Sequence, residues 1–235
     1  MTTRIVPALN LPGQAASHSG PLNLNVNYLV HYAFRRDFGR LLNCVPEVEP
    51  GDVDRATALS KHFTAMMAVL HEHHSGEDDF IWPVVEKENP ELADLLEEME
   101  AEHAGLAPAV WAALQAFDAF SAEATAENAA ATEDALVDVV EVLIHHLDHE
   151  ESAAVPALQE HVDPAVWRGI EKNLQRSGDV KLLRFFVPWL LDGLSEEDLK
   201  AVKGMAPRPL LLFWTLRWKK EYARYAEDLW AGCGQ

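Results

Sequence analysis

The 235-residue sequence predicts an all-α protein, an up-down-up-down four-helix bundle with a C-terminal helical extension. Three observations carry this expectation. Apolar residues recur at steps of three and four through four long segments, as in helices that bury one stripe against their neighbours. Period-two alternation, the signature of strands, is missing throughout. Turn signals separate the segments at Pro46–Gly51, at Asn89-Pro90 and in the alanine-rich stretch Ala122–Ala131.

Taken in order, residues 1–21 carry Pro, Gly, Ser and Gln without periodicity and read as an irregular arm. The bundle occupies 22–162. Its first helix runs from about Asn23 to Asn43, with the stripe Leu24, Tyr28, His31, Phe34, Phe38 and Leu41. The second starts at an N-cap, Asp52 or Asp54, and reaches about Lys87, with a kink expected at Pro83. Its stripe is Phe63, Met66, Leu70, His73, Glu77, Phe80 and Val84. The third begins after Asn89-Pro90, with proline in the first turn, and ends near Phe120. Its stripe includes Leu96, Met99, His103, Leu106, Ala113 and Phe117, and Pro108 should disturb it. The fourth starts between Ala124 and Thr132 and runs to about His161 through Leu136, Val139, Leu143, His146 and Glu150.

Composition changes near Asp163-Pro164. Residues 1–162 hold 7 Lys+Arg against 28 Asp+Glu, whereas 163–235 hold 12 against 10 and five of the seven tryptophans. The extension reads as shorter helices over Pro164–Leu174 and Val180–Leu194, one starting at Ser195-Glu-Glu-Asp, and one over Pro207–Ala231. It is expected to pack on the bundle, or on a second subunit to make a homodimer.

The net charge of −19 argues against a nucleic-acid partner, since such a surface repels phosphates. Uncharged apolar runs such as Phe185–Leu191 and Pro209–Leu216 fall far short of the ~20 residues a membrane span needs. No signal-peptide core stands at the start. Cys44 and Cys233 are too few for a disulfide scaffold and have no His or Cys neighbours in sequence. A reducing, cytoplasmic home is the expectation.

Each bundle stripe is interrupted by histidine, and two also by a glutamate four residues later. If the helices alternate up and down, residues at one height must straddle each turn symmetrically. The midpoints between His31, His73/Glu77, His103 and His146/Glu150 fall near positions 53, 89 and 125, close to the three turns. Four imidazoles and two carboxylates therefore share one layer of the core.

Unpaired carboxylates and imidazoles in an apolar core cost several kcal/mol per group unless something compensates. A cation supplies the missing charge and accepts the lone pairs. Nitrogen and oxygen donors without thiolate suit iron or manganese, and zinc less well. Six donors with two potentially bridging carboxylates exceed the needs of one tetrahedral zinc. The candidate metal ligands are His31, His73, Glu77, His103, His146 and Glu150, around two iron ions.

The remaining histidines sit off this stripe. His71, His74, His145 and His149 are expected on its flanks, His62 and His161 at the surface, and His18 in the arm. Asp78 and Glu151 adjoin the seam glutamates and are expected to face solvent or bond to groups around the layer. A one-residue shift would exchange them with their neighbours, so His74, Asp78, His149 and Glu151 stay open as further donors.

The succession of His31, His73-x-x-x-Glu77 in HEHHSGEDDFIWP, His103 in AEHAGL and His146-x-x-x-Glu150 in HHLDHEESAAVP resembles the hemerythrin-like (HHE cation-binding) family, in its bacterial form. The resemblance covers about 23–161. It implies a four-helix bundle with a non-haem di-iron centre, an oxo or hydroxo bridge, bridging glutamates and capping histidines. Two departures from the oxygen carriers stand out. Ala107 replaces a second helix-three histidine, and Glu150 and Glu151 stand at the fourth and fifth places where the carriers have aspartate at the fifth. The missing histidine is expected to leave an open coordination position, which favours chemistry or sensing with O2, NO or H2O2 over plain oxygen carriage. The alternatives are a non-enzymatic iron or oxygen sensor that signals through its extension, and a metal-free helical interaction module.

Overall fold

The computed structural model describes residues 5–177, 182–205 and 217–233. The helix starts expected at Val180 and Pro207, the run Pro209–Leu216 and Trp214 lie outside the described residues.

Helix α1 spans Asn25–Cys44 and α2 spans Val53–Gly76, the latter capped by Asp52, whose carboxylate accepts from Arg55 N–H at 2.9 Å. The second rod continues beyond α2 toward Pro83. It widens over Glu77–Ile81 into a π-turn and continues as α3, Trp82–Glu88. The cause is local: proline has no N–H for the carbonyl four residues back and its ring collides with it. A turn bonded five residues apart, Trp82 N–H to Glu77 C=O, moves that carbonyl aside. The fourth rod repeats the device, with α5 over Ala126–His149, a π-turn over Glu150–Ala154, and α6 over Val155–His161 with Pro156 in its first turn. Between them α4 runs Ala93–Ala122 as one helix through Pro108. Thr125 caps α5, accepting from Asn128 N–H at 3.1 Å.

Helix α2 packs on α4, α4 on α5, and α5 on α1, as the stripes require. Phe63 stacks on Phe117 with ring centroids 4.5 Å apart and meets Phe38 edge-on. These rings, with Leu59, Met66 and Leu136, fill the core at the end nearest the α1–α2 turn. That end is tied by Gly51 N–H donating to Ala124 C=O at 2.8 Å. Gly51 adopts φ +93°, a conformation other residues resist.

The extension supplies α7 (Pro164–Ser177), α8 (Leu183–Leu191), α9 (Glu196–Met205) and α10 (Lys219–Leu229). It shares the bundle's core through Trp167, Ile170, Trp189 and Leu229. Its anchor is polar. Asp37, fully buried on α1, accepts from Trp189 Nε1 (2.8 Å), Arg36 Nε (2.7 Å) and His62 Nε2 (2.9 Å). His62 Nδ1 pairs with Tyr225 Oη at 2.9 Å. His62 is therefore not at the surface, as expected from its distance to the histidine layer, but fully buried, because Phe185 and Trp230 of the extension close over it.

Cys44 and Cys233 are also not free. They form a disulfide across 189 residues, with Cα atoms 4.8 Å apart. Chain return, not local spacing, makes the pair: α10 comes back along α2, where Arg55 donates to the carbonyls of Asp228 and Ala231 at 2.8 Å each. Two cysteines are too few for a disulfide scaffold but enough for one bridge, and this bond removes the cysteine count as a ground for a reducing compartment. Among the described residues, no helix is long and apolar enough to cross a membrane.

Candidate metal centre

All six side chains singled out in the sequence converge in the core, and a seventh joins them. Donor atoms of His31, His73 and Glu150 lie within 4.8 Å of one another, as do those of His74, Glu77, His103 and His146. Within the first set His73 Nε2 faces His31 Nε2 at 3.3 Å, and within the second His103 Nε2 faces His146 Nε2 at 3.2 Å. Two adjacent ligands on one metal, each bonded at about 2.1 Å, stand about 3 Å apart. The spacing of each pair fits one shared ion.

The carboxylates join the sets. Glu77 Oε1 lies 3.5 Å from His73 Nε2 while its Oε2 lies 3.5 Å from His103 Nε2. Glu150 Oε2 lies 3.1 Å from His31 Nε2 and 3.9 Å from His146 Nε2. Both glutamates open a π-turn, and each stands four residues after a histidine of its own helix, so the pairs share a face.

His74 is the residue that the stripe missed. Expected on the flank, it is buried and stacks on His103 with centroids 3.9 Å apart. One helical step separates it from His73, so α2 presents neighbouring histidines to the two sets, with Glu77 between them. The two consecutive histidines three and four residues before a seam glutamate were the available signal. His74 also fills the side of the layer where a position was expected to stay open for want of a histidine at Ala107. Ala107 itself is exposed on α4.

Outside the layer, most inward-facing imidazoles are held by a carboxylate at Nδ1. His31 donates to Glu151 Oε1 at 2.9 Å, His103 to Asp78 Oδ1 at 2.8 Å, and His146 to Glu102 Oε2 at 2.9 Å. A proton fixed on Nδ1 leaves the Nε2 lone pair pointing inward, the tautomer that metal binding needs. Glu151 is fully buried and accepts further from Arg35 (2.7 and 3.2 Å) and from Ala15 N–H of the arm (2.7 Å). His149 bonds Glu102 at 2.7 Å, whereas the His145 side chain is largely exposed. Asn27 Nδ2 donates to Glu150 Oε1 at 2.8 Å.

Three buried atoms of the layer have no hydrogen-bond partner: His74 Nε2, Glu77 Oε2 and Glu150 Oε2. Burial also shifts the ionisation of these groups. Burial, with Glu150 and Asp78 nearby, pushes the Glu77 carboxyl well above its ordinary range. Burial works against ionised Glu150 too, but His31 outweighs it and holds that carboxyl low. Burial and the charge of His31 press His73 down to about 3. Burial and His73 depress His74 likewise. A layer of mostly neutral imidazoles facing unpartnered carboxylate oxygens is a donor set matched to cations.

Fold and layer together define a helical bundle whose core converges histidine and carboxylate donors. The family described as Hemerythrin HHE cation binding domain matches residues 28–158, more than half the chain, and the protein belongs to it. No curated protein and no solved structure matches the chain.

Proposed function

We propose that the protein holds two iron ions and uses them to bind or react with O2, NO or H2O2. His31 and His73 would hold one ion and His74, His103 and His146 the other, with Glu77 and Glu150 contributing carboxylate oxygens between the two sets. The observation that carries this reading is the pair of donor sets joined through Glu77, whose two oxygens face different histidines at 3.5 Å each. Family membership supports a metal-binding role related to iron and oxygen. Bound iron would supply one-electron redox chemistry and a coordination position for a small ligand. The chain does the rest. Carboxylates at Nδ1 hold the imidazole tautomers, Asn27 orients Glu150, and the buried side chains of Leu143, Met99 and Leu70 stand one turn before the layer's histidines.

Purified protein should carry about two irons per chain and show ultraviolet charge-transfer bands. Exchanging His103 and His146 together for leucine should abolish both. If the iron-supplied protein contains no metal, or if the double variant keeps its bands, the reading fails. A sensor reading is favoured by one contact: the arm's Ala15 N–H shares Glu151 with His31, which couples the layer to the N-terminal arm. It predicts iron-dependent stabilisation without turnover of peroxide or nitric oxide.

A further inference from the structure

Beside the His31–His73–Glu150 set lies a cavity of about 840 Å3, between the ends of α1 and α2 and the inner faces of α7 and α8. His73, Glu77 and Glu150 form part of its wall. A water molecule occupies about 30 Å3 of liquid, and a diatomic needs little more. The space is more than ten times larger and falls in the range of sites for organic ligands, about 300–1,000 Å3.

Its lining says what kind. Much of the wall is apolar, with Val30, Trp82, Leu158, Trp167, Leu174 and Phe186 prominent. Of the charged groups, Glu72, Asp79 and Glu171 line it beyond the donor layer, and no lysine or arginine does so among the described residues. An anion entering would meet these carboxylates with no lysine or arginine to offset them, the imidazoles of His71 and His73 being the other titratable groups of the wall. A neutral or cationic molecule meets no such cost. Trp82 itself is almost fully buried, so it offers the wall ring surface rather than a polar group. The cavity also depends on how the extension docks. Leu174 of α7 reaches the end of α2 at Gly76, where an added Cβ would stand 3.0 Å from its Cδ2.

We propose that this cavity binds a neutral or cationic organic molecule with an apolar body of about 10–20 heavy atoms, placing it against the His73 edge of the metal centre. The inference rests on the proposed function for what the bound molecule meets there, but the cavity itself does not require metal.

The test is calorimetric titration of the full-length protein, with and without iron, against 4-phenylbutylamine, 4-phenylbutan-1-ol and 4-phenylbutyrate. These share an apolar body and differ in charge. The amine and alcohol should bind saturably at one site, and the acid at least about tenfold more weakly. Glu171→Lys should reverse the order of amine and acid, and either Leu174→Trp or Ser75→Trp, narrowing the space, should weaken binding at least about tenfold while circular dichroism stays helical. The proposal is overturned if none of the three binds the folded protein, if the acid binds as well as the amine, or if neither filling variant changes affinity. Iron content measured on the same samples separates the two readings. Binding without iron leaves the cavity standing and the metal reading lost, and iron without binding does the reverse.

Discussion

His74 and His103 lie flat on one another, ring centroids 3.9 Å apart and planes 9° from parallel, although they come from α2 and α4. Both also meet His146, at centroid distances of 5.0 and 4.6 Å. Three imidazoles from three rods thus close one side of the layer. In the proposed centre His74 supplies the third nitrogen that Ala107 does not. Replacing His74 by alanine should lower iron content from about two per chain toward one and weaken the retained metal at least tenfold. His71→Ala, altering an exposed side chain three residues earlier, should leave iron content unchanged. Equal iron in both variants would remove His74 from the centre.

How far this was legible in the sequence follows from which forces are local. The stripe carried the bundle, the six donors and their common height, because helical periodicity reports burial directly. His74 escaped because a single stripe describes one direction from the helix, while α2 faces two donor sets one step apart. The π-turns were foreshadowed only as a kink at Pro83, since nothing in the stripe distinguishes a widened turn from a bend. The burial of His62 and the pairing of the cysteines lie beyond the stripe for a different reason. Their surroundings come from the extension, more than a hundred residues away, and no periodicity links the two.

The carboxylates behind the imidazoles should matter almost as much as the donors. Glu151→Gln keeps the size of the side chain but removes the charge that His31 and Arg35 share. Metal affinity should fall about 10–100-fold, measured by competition with a chelator. Asp78 is more exposed than Glu151, so Asp78→Asn should fall at the low end of that range. An equal and negligible effect of both would show that imidazole orientation is set by packing alone.

Asp37 should dominate acid stability away from the metal layer. Burial by itself would raise its carboxyl, but Arg36 and His62 outweigh that and hold it far below the ordinary range. The folded value lies below the unfolded value of about 4, so the stabilisation is complete above that pH and fades as pH falls toward the folded value. Asp37→Asn should cost about 3–5 kcal/mol at pH 7, since it leaves Arg36 and His62 without their buried partner. Urea unfolding at pH 7 and pH 3 checks the sign: the wild type must lose more stability between the two than the variant does.

The Cys44–Cys233 disulfide closes a loop spanning 189 positions, nearly the whole bundle and extension. Chain-entropy arguments put the constraint on so long a loop at about 5 kcal/mol, with measured effects for native bridges of about 2–5 kcal/mol. The bond joins the end of α1 to the residues after α10, and Trp230 near it packs on His62. Reduction should therefore loosen α10 first. Cys44→Ser and Cys233→Ser should each lower the melting temperature and shift tryptophan emission, while far-ultraviolet dichroism holds because the bundle's own helices do not cross the bond. Dithiothreitol should reproduce both changes in the wild type and leave the variants unaffected. If reductant acts equally on variant and wild type, the thiols are not paired in solution, and docking of α10 rests on Arg55 and the buried aromatic contacts alone.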